Sequence, residues 1–201
     1  MNVLSLFDGL SCGQLALERA GIKVDNYFAS EIDKHAIQIT QKNYPNTIQL
    51  GDVTQWHKWD IDWSSIDIVA GGSPCQSFSV AGNGDGFNGK SGLFFEFADI
   101  VQNVILHNPK ALFLLENVVM KKEWQDIISK IMGVQPIMID SALFSAQQRK
   151  RLYWTNIDVD LSKLPNSNEV IADVLELPIV NKRENKIPLS SGCLMSGILV
   201  Q

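Results

Sequence analysis

"NVLSLFDGLSCGQLALERAG", residues 2–21, changes its period half-way along. Residues 2–7 form a short apolar run, which suits a strand buried on both faces. From Cys12 to Ala20 the apolar residues recur at helical spacing, and Gly21 suits a C-terminal stop. Between the two lies "FDGLSCG", where Gly9 and Gly13 let the backbone turn tightly beside a ligand. A strand, a glycine turn and a helix in that order open a βαβ unit.

The same alternation continues downstream. "NYFAS" reads as a second strand and "DKHAIQITQKNY" as a helix that Asp33 caps. "TIQL" is a third strand and "IDIVAG" a fourth. "GLFFEFADIVQNVILHN" is a long helix halted by Pro109, "ALFLLEN" a fifth strand, and Lys122–Met132 a helix. "PIMIDSALF" and "RLYWTNI" are two more strands, placed as a hairpin at one sheet edge. Strands alternating with helices imply an α/β fold with right-handed crossovers, its sheet mostly parallel and covered by helices on both faces. The order of the strands is not encoded in this pattern. After Ile157 the pattern weakens, which divides the chain into a catalytic and cofactor-binding domain, 1–157, and a peripheral segment, 158–201.

The bulk properties agree with one such domain. The chain has 201 residues, 45% of them hydrophobic and 19% charged, enough apolar material for a real core. No apolar run approaches the roughly 18 residues that span a bilayer, and "MNVLSLFDG" lacks the basic start of a secretory signal. The expected location is the cytoplasm. Cys12, Cys75 and Cys193 match neither a zinc site nor a disulfide framework, so no metal is expected and each is read as a free thiol. The net charge of −5 argues against a whole-surface nucleic-acid binder and leaves room for a local basic patch.

In a doubly wound sheet, ligands sit beyond the C-terminal ends of the strands. The first strand ends in the glycine turn, the second at Glu31, the third near Asp52 and the fourth at "GGSPCQSFS". Glu31 lies about 20 residues after the turn, where an acid commonly takes ribose hydroxyls. Asp52 can accept from an exocyclic amino group. The turn has no lysine for phosphates, so a pyrophosphate would be poorly matched there. A positive sulfonium, as in S-adenosylmethionine, suits the acids better.

Taken alone, a single cysteine is more often inert core than nucleophile. Cys75 follows a strand and a proline and precedes five glycines, at 82, 84, 86, 89 and 92. That setting favours a cysteine that meets substrate, with residues 76–92 able to close over it. Glu116 ends the fifth strand after four apolar residues, where partial desolvation raises a carboxyl pKa toward neutrality. Arg149 and Arg151 alternate on one side of an extended segment, placed to hold a carbonyl oxygen and a phosphate.

Together, "SLFDGLSCG", "GGSPCQSFS", "LENV" and "QQRKRLYW" resemble, in family order, four motifs of the cytosine-5 DNA methyltransferases. The wording is similar to that of animal de novo and of phage or bacterial members, and the resemblance spans residues 1–157. It implies a Rossmann-like, S-adenosylmethionine-dependent methyltransferase fold acting on double-stranded DNA. By resemblance, Phe7, Asp8, Gly9 and Gly13 form the cofactor turn, Glu31 takes the ribose, and Asp52 and Val53 hold the adenine, with Leu93 nearby. Cys75 is the nucleophile, and Glu116 engages ring nitrogen 3 and the amino group of cytosine. Arg149 and Arg151 support the flipped base. Ser73, Pro74, Gln76, Ser79 and Asn117 belong to the substrate loop. The family continues past this point into a target-recognition region; either a second polypeptide supplies it, or the sequence is a truncated piece, which the small-residue tail favours, or the gene product is degenerate. Two other readings stay open: a non-catalytic, split or truncated subunit that keeps the fold, and the RNA-methylating branch.

Overall fold

A computed structural model describes residues 1–74 and 92–165. The expectations for Cys75, Gln76, Ser79, the closing loop and the tail after Pro165 lie outside the described residues. Strands β1 (Asn2–Leu6), β2 (Asn26–Ser30), β3 (Ile48–Gln49), β4 (Ile68–Gly71), β5 (Leu112–Val118), β6 (Ile137–Asp140) and β7 (Lys150–Thr155) form one sheet in the order β3-β2-β1-β4-β5-β7-β6. The first five run parallel; β7 lies antiparallel to β5, and β6 antiparallel to β7. The expected hairpin closes one edge of the sheet, with its second strand on the inside.

Apolar runs become strands here because both faces of the sheet are covered. Along β1, Val3 packs with Leu17, Tyr27 and Ile68, whereas Leu4 and Leu6 join the larger core on the other side. Helix α1 (Cys12–Arg19) covers the first face through Leu17. Helix α3 (Leu93–His107) covers the second with Phe94, Phe97, Ile100, Val101 and Val104, and α4 (Lys122–Met132) adds Ile128. Fully buried Trp154 on β7 donates from Nε1 to Ser129 Oγ at 2.9 Å, tying α4 to the sheet.

Local chemistry sets the boundaries. Asp33 caps α2 (Lys34–Asn43), its Oδ1 accepting from the backbone N–H of His35 and Ala36. Gly133, with φ of 74°, ends α4 in the left-handed conformation. The strand expected over residues 136–144 stops at Asp140. Asp140 Oδ1 accepts from Ala142 N and Arg149 N, which turns the chain into a short 3-10 helix at Ser141–Leu143. Among the described residues no helix is long and apolar enough to cross a membrane.

The strand order creates the site. The chain moves outward from β1 through β2 to β3, then returns to β4 on the far side of β1. This reversal opens a crevice above β1 and β4, beyond the C-terminal ends of the parallel strands.

Candidate functional site

The turn after β1 is tightly bent. Phe7, Gly9 and Ser11 have φ of 56°, 60° and 57°, and two of these are not glycine. Left-handed backbone in such residues is sparsely populated and persists only where surrounding contacts hold it. The contacts here converge on Asp8. Its Oδ1 accepts from Ser5 Oγ at 2.6 Å and from Tyr27 hydroxyl at 2.8 Å, and its Oδ2 accepts from Ser11 Oγ. Burial raises the Asp8 pKa; the three hydroxyl donors oppose that rise, and the charge of Glu31 adds to it. Gly13 leaves space for the same tyrosine, since a Cβ there would stand 3.0 Å from its hydroxyl.

A cleft of about 280 Å³ opens beside this turn, lined by Phe7, Ser30, Glu31, Ile32, Asp52, Val53, Pro74 and Leu93. Five of these were singled out from sequence as cofactor residues: Phe7, Glu31, Asp52, Val53 and Leu93. Asp8, Gly9 and Gly13 are not among the lining residues; they shape the turn behind the wall. Glu31 is fixed on both oxygens. Oε2 accepts from Gly9 N at 2.8 Å, and Oε1 from Ile32 N and Asp33 N at 2.8 and 2.9 Å. Asp52 Oδ1 accepts from the backbone and hydroxyl of Thr54, capping the 3-10 helix Val53–Lys58, while Oδ2 takes no bond among the described residues. The lining holds two carboxylates and no lysine, arginine or histidine. Such a wall suits a neutral ribose and a cationic ligand, and it would repel a pyrophosphate.

A second cluster lies one strand further along. Glu116 on β5 meets Arg151 Nε at 2.8 Å and Arg149 Nη2 at 3.9 Å, both through Oε1. The antiparallel pairing explains the meeting: an antiparallel strand starts where its parallel neighbours end, and Val118 pairs with Arg151 and Glu116 with Tyr153. Burial raises the Glu116 pKa, and the two arginines only partly offset it. The charge of Glu116, with burial the larger cause, also pushes the Tyr153 phenol up. Next along β5, buried Asn117 donates from Nδ2 to Ser73 O at 3.3 Å and Ser73 Oγ at 3.2 Å. Asn117 therefore moors the segment that leaves β4, one residue before Pro74. Cys12 departs from the expectation of a free thiol: it is disulfide-bonded, because spacing along the chain says nothing of which cysteines the fold brings close.

Comparison with known proteins agrees with this geometry. The model of the C-5 cytosine-specific DNA methylases matches residues 1–191. The chain belongs to that family. It is 43% identical over 124 residues to the type II methyltransferase M.Eco47II of Escherichia coli, covering 58% of this chain and 27% of that protein. It is 32% identical over 180 residues to the orphan methyltransferase M.SPRI of Bacillus phage SPR, covering 81% of this chain and 39% of that one. A crystal structure of a protein encoded within an E. coli prophage matches in fold, with a TM-score of 0.64 at 24% identity, covering 90% of this chain and 56% of the other. The chain thus spans less than half the length of these two curated relatives.

Within this C-5 cytosine methylase scaffold, sequence reading missed Ser30 and Ile32, whose place in the cleft depends on how β2 pairs with β1 and β3. It also missed the Ser5–Ser11–Tyr27 ring around Asp8. Part of the signal for that ring was available: Ser5 and Ser11 flank Asp8 three residues away on either side, whereas Tyr27 arrives only through the pairing of β2 with β1.

Proposed function

We propose that the protein carries out the catalytic part of methyl transfer from S-adenosylmethionine to carbon 5 of cytosine in DNA. The observation that carries this reading is the Glu116 cluster. A half-buried carboxyl whose pKa burial raises, gripped on one oxygen by Arg151, stands beside an asparagine that moors Ser73, the residue before Pro74. A carboxyl that must share a proton with a base needs its pKa raised in this direction. S-adenosylmethionine, when bound, supplies an electrophilic methyl group on a sulfonium. Phe7, Ile32, Val53 and Leu93 would pack against it, with Glu31 toward the ribose and Asp52 Oδ2 toward the adenine.

The chemistry assigned to the chain's own residues follows from cytosine. Carbon 5 is a poor nucleophile while the ring is aromatic. The Cys75 thiolate adds to carbon 6, and Glu116 shares its proton with ring nitrogen 3, which absorbs the electron pair pushed into the ring. Carbon 5 is then nucleophilic and takes the methyl group; a water then removes the carbon 5 proton, the double bond re-forms as sulfur leaves as thiolate, and Glu116 takes back the proton from ring nitrogen 3. The base must leave the duplex to be reached, at a cost of a few kcal/mol. Arg149 and Arg151 would hold the flipped base while steadying Glu116. In this reading residues 158 onward lead toward a recognition region, supplied by the same or a second polypeptide, and the enzyme works on DNA in the cytoplasm.

The test is trapping. A duplex carrying 5-fluorocytosine blocks the last proton loss, so the protein with its recognition region should form a covalent adduct in the presence of S-adenosylmethionine. Cys75→Ser should form none. Methylation that survives Cys75→Ser would refute the reading. Binding of cofactor and DNA without any adduct would point to a non-catalytic subunit, and transfer to tRNA in place of duplex DNA to the RNA-methylating branch.

A further inference from the structure

Gly72 follows Gly71, the last residue of β4, and the two glycines differ in what they make room for. A Cβ at Gly71 would stand 2.4 Å from the backbone oxygen of Leu6, so any side chain there would force β1 and β4 apart. A Cβ at Gly72 would stand 2.8 Å from Glu116 Oε2 and no nearer than 3.5 Å to the backbone of that residue. The backbone of Gly72 is not left-handed. Its conformation does not demand glycine; the space does. Leu115 pairs with Gly71, so Glu116 lies directly opposite Gly72 across the strand pair. On the other flank, Arg151 and Arg149 hold Oε1. Oε2, the oxygen facing Gly72, takes no hydrogen bond among the described residues.

We infer that Gly72 is a positioning residue for Glu116: its missing side chain is the recess that seats Oε2, while the arginines fix Oε1, so that the carboxyl has one orientation and one oxygen left for the base. This rests on the proposed role of Glu116. An arginine pair alone fixes one oxygen and leaves the carboxyl free to rotate about its last bond. The fit of Oε2 against the Gly72 backbone restricts that freedom. A methyl group in the recess would move only the end of a flexible side chain, so the fold should survive where the function does not.

The experiment compares Gly72→Ala with the wild-type protein, containing its recognition region, in methyl transfer to duplex DNA. Gly72→Ala should lower kcat about 10²-fold, the scale of a misplacement of about 1 Å, with the S-adenosylmethionine Kd changed less than about threefold, since Gly72 does not line the cleft. Glu116→Asp withdraws the carboxyl by one methylene. In the Gly72→Ala background it should therefore cost far less than it does alone, a non-additivity that a merely structural role would not produce. On the chain itself, the Arg151 Nε resonance and the titration midpoint of the Glu116 carboxyl should both move in Gly72→Ala. Unchanged resonances and midpoint, or additive losses, would overturn the inference. Full activity in Glu116→Gln would instead sink the role of Glu116, whatever Gly72→Ala does. Should Gly72→Ala fail to fold, the claim that only the side-chain end is displaced is wrong.

Discussion

Replacing Asn117 with alanine tests how the segment before Cys75 is held. Asn117 is 1% exposed and Ser73 4% exposed, so neither can turn to water when the other is removed. Asn117→Ala strips the Ser73 carbonyl and hydroxyl of their shared donor and leaves Val118 N, which gives its proton to Asn117 Oδ1 at 2.8 Å, without that acceptor. An orphaned buried polar group costs about 1–3 kcal/mol. The two bonds to Ser73 are long, and Val118 is only half-buried, so the low end applies to each and the sum is about 3 kcal/mol. For a chain of this size that is a fall in Tm of about 6–12 °C. Ser73→Ala is the control: Asn117 keeps the carbonyl as acceptor and no group is orphaned, so its cost should stay below about 1 kcal/mol. Urea unfolding followed by tryptophan fluorescence measures both, and the double variant should show clear coupling. Equal costs for the two single variants, or a cost for Asn117→Ala below about 1 kcal/mol, would refute the mooring.

Glu116→Gln should lower kcat by about 10²–10⁴-fold, the usual worth of a positioned acid or base. It should also alter the pH dependence of stability. The folded pKa of Glu116 lies above the ordinary value of 4.5, so between the two the folded state binds more protons than the unfolded state, and wild-type stability falls as pH rises through that window. Melting curves should therefore find wild type and Glu116→Gln closest below pH 4.5 and the variant relatively more stable above it; the opposite trend would mean that the arginines outweigh burial. Asp8→Asn places an amide among three hydroxyl donors and should weaken S-adenosylmethionine binding about tenfold by calorimetry, equivalent to one charge-assisted hydrogen bond of about 1.5 kcal/mol. Trp154→Phe loses the bond to buried Ser129 and leaves a small void, costing about 2 kcal/mol in urea unfolding.

The sheet was legible because strands buried on both faces have nothing polar to show, and helices with one buried face must repeat at their own period. Asp33 was readable as a cap because its bonds reach only two and three residues along the chain. Strand order was not readable: the β6–β7 hairpin is local, but the pairing that sets β7 against β5 joins residues far apart in sequence. The same division runs through the site. Glu31, Asp52 and Glu116 announce themselves as acids at the ends of apolar runs. Ile32, 72% exposed beside the cleft, looks from sequence like any surface residue. Gly72 reads as one more loop glycine until the register sets it opposite Glu116. Asp8 reads as a cofactor residue; the structure adds that Ser5, Ser11 and Tyr27 donate to it, which no spacing in the sequence reveals for the tyrosine.

The antiparallel strand is what lets one cluster hold both signs of charge. Five parallel strands end along one rim of the sheet, and each can deliver a residue there only from its last turn. A sixth parallel strand would do the same and carry its early residues to the opposite rim. Because β7 runs the other way, its first residues, not its last, arrive at the rim, and the basic run 149–151 meets the acid that closes β5. Register then decides the face. Arg151 stands across from Val118 and shares a face with Tyr153 and Glu116; a slip of one residue would send Arg151 to the other side, into the core that holds Leu152 and Trp154. Burying an unpaired guanidinium there is prohibitive. The packing of Leu152 and Trp154 beneath the sheet thus fixes which side of it the arginines occupy, and the large core under the site sets the geometry of the carboxyl above it.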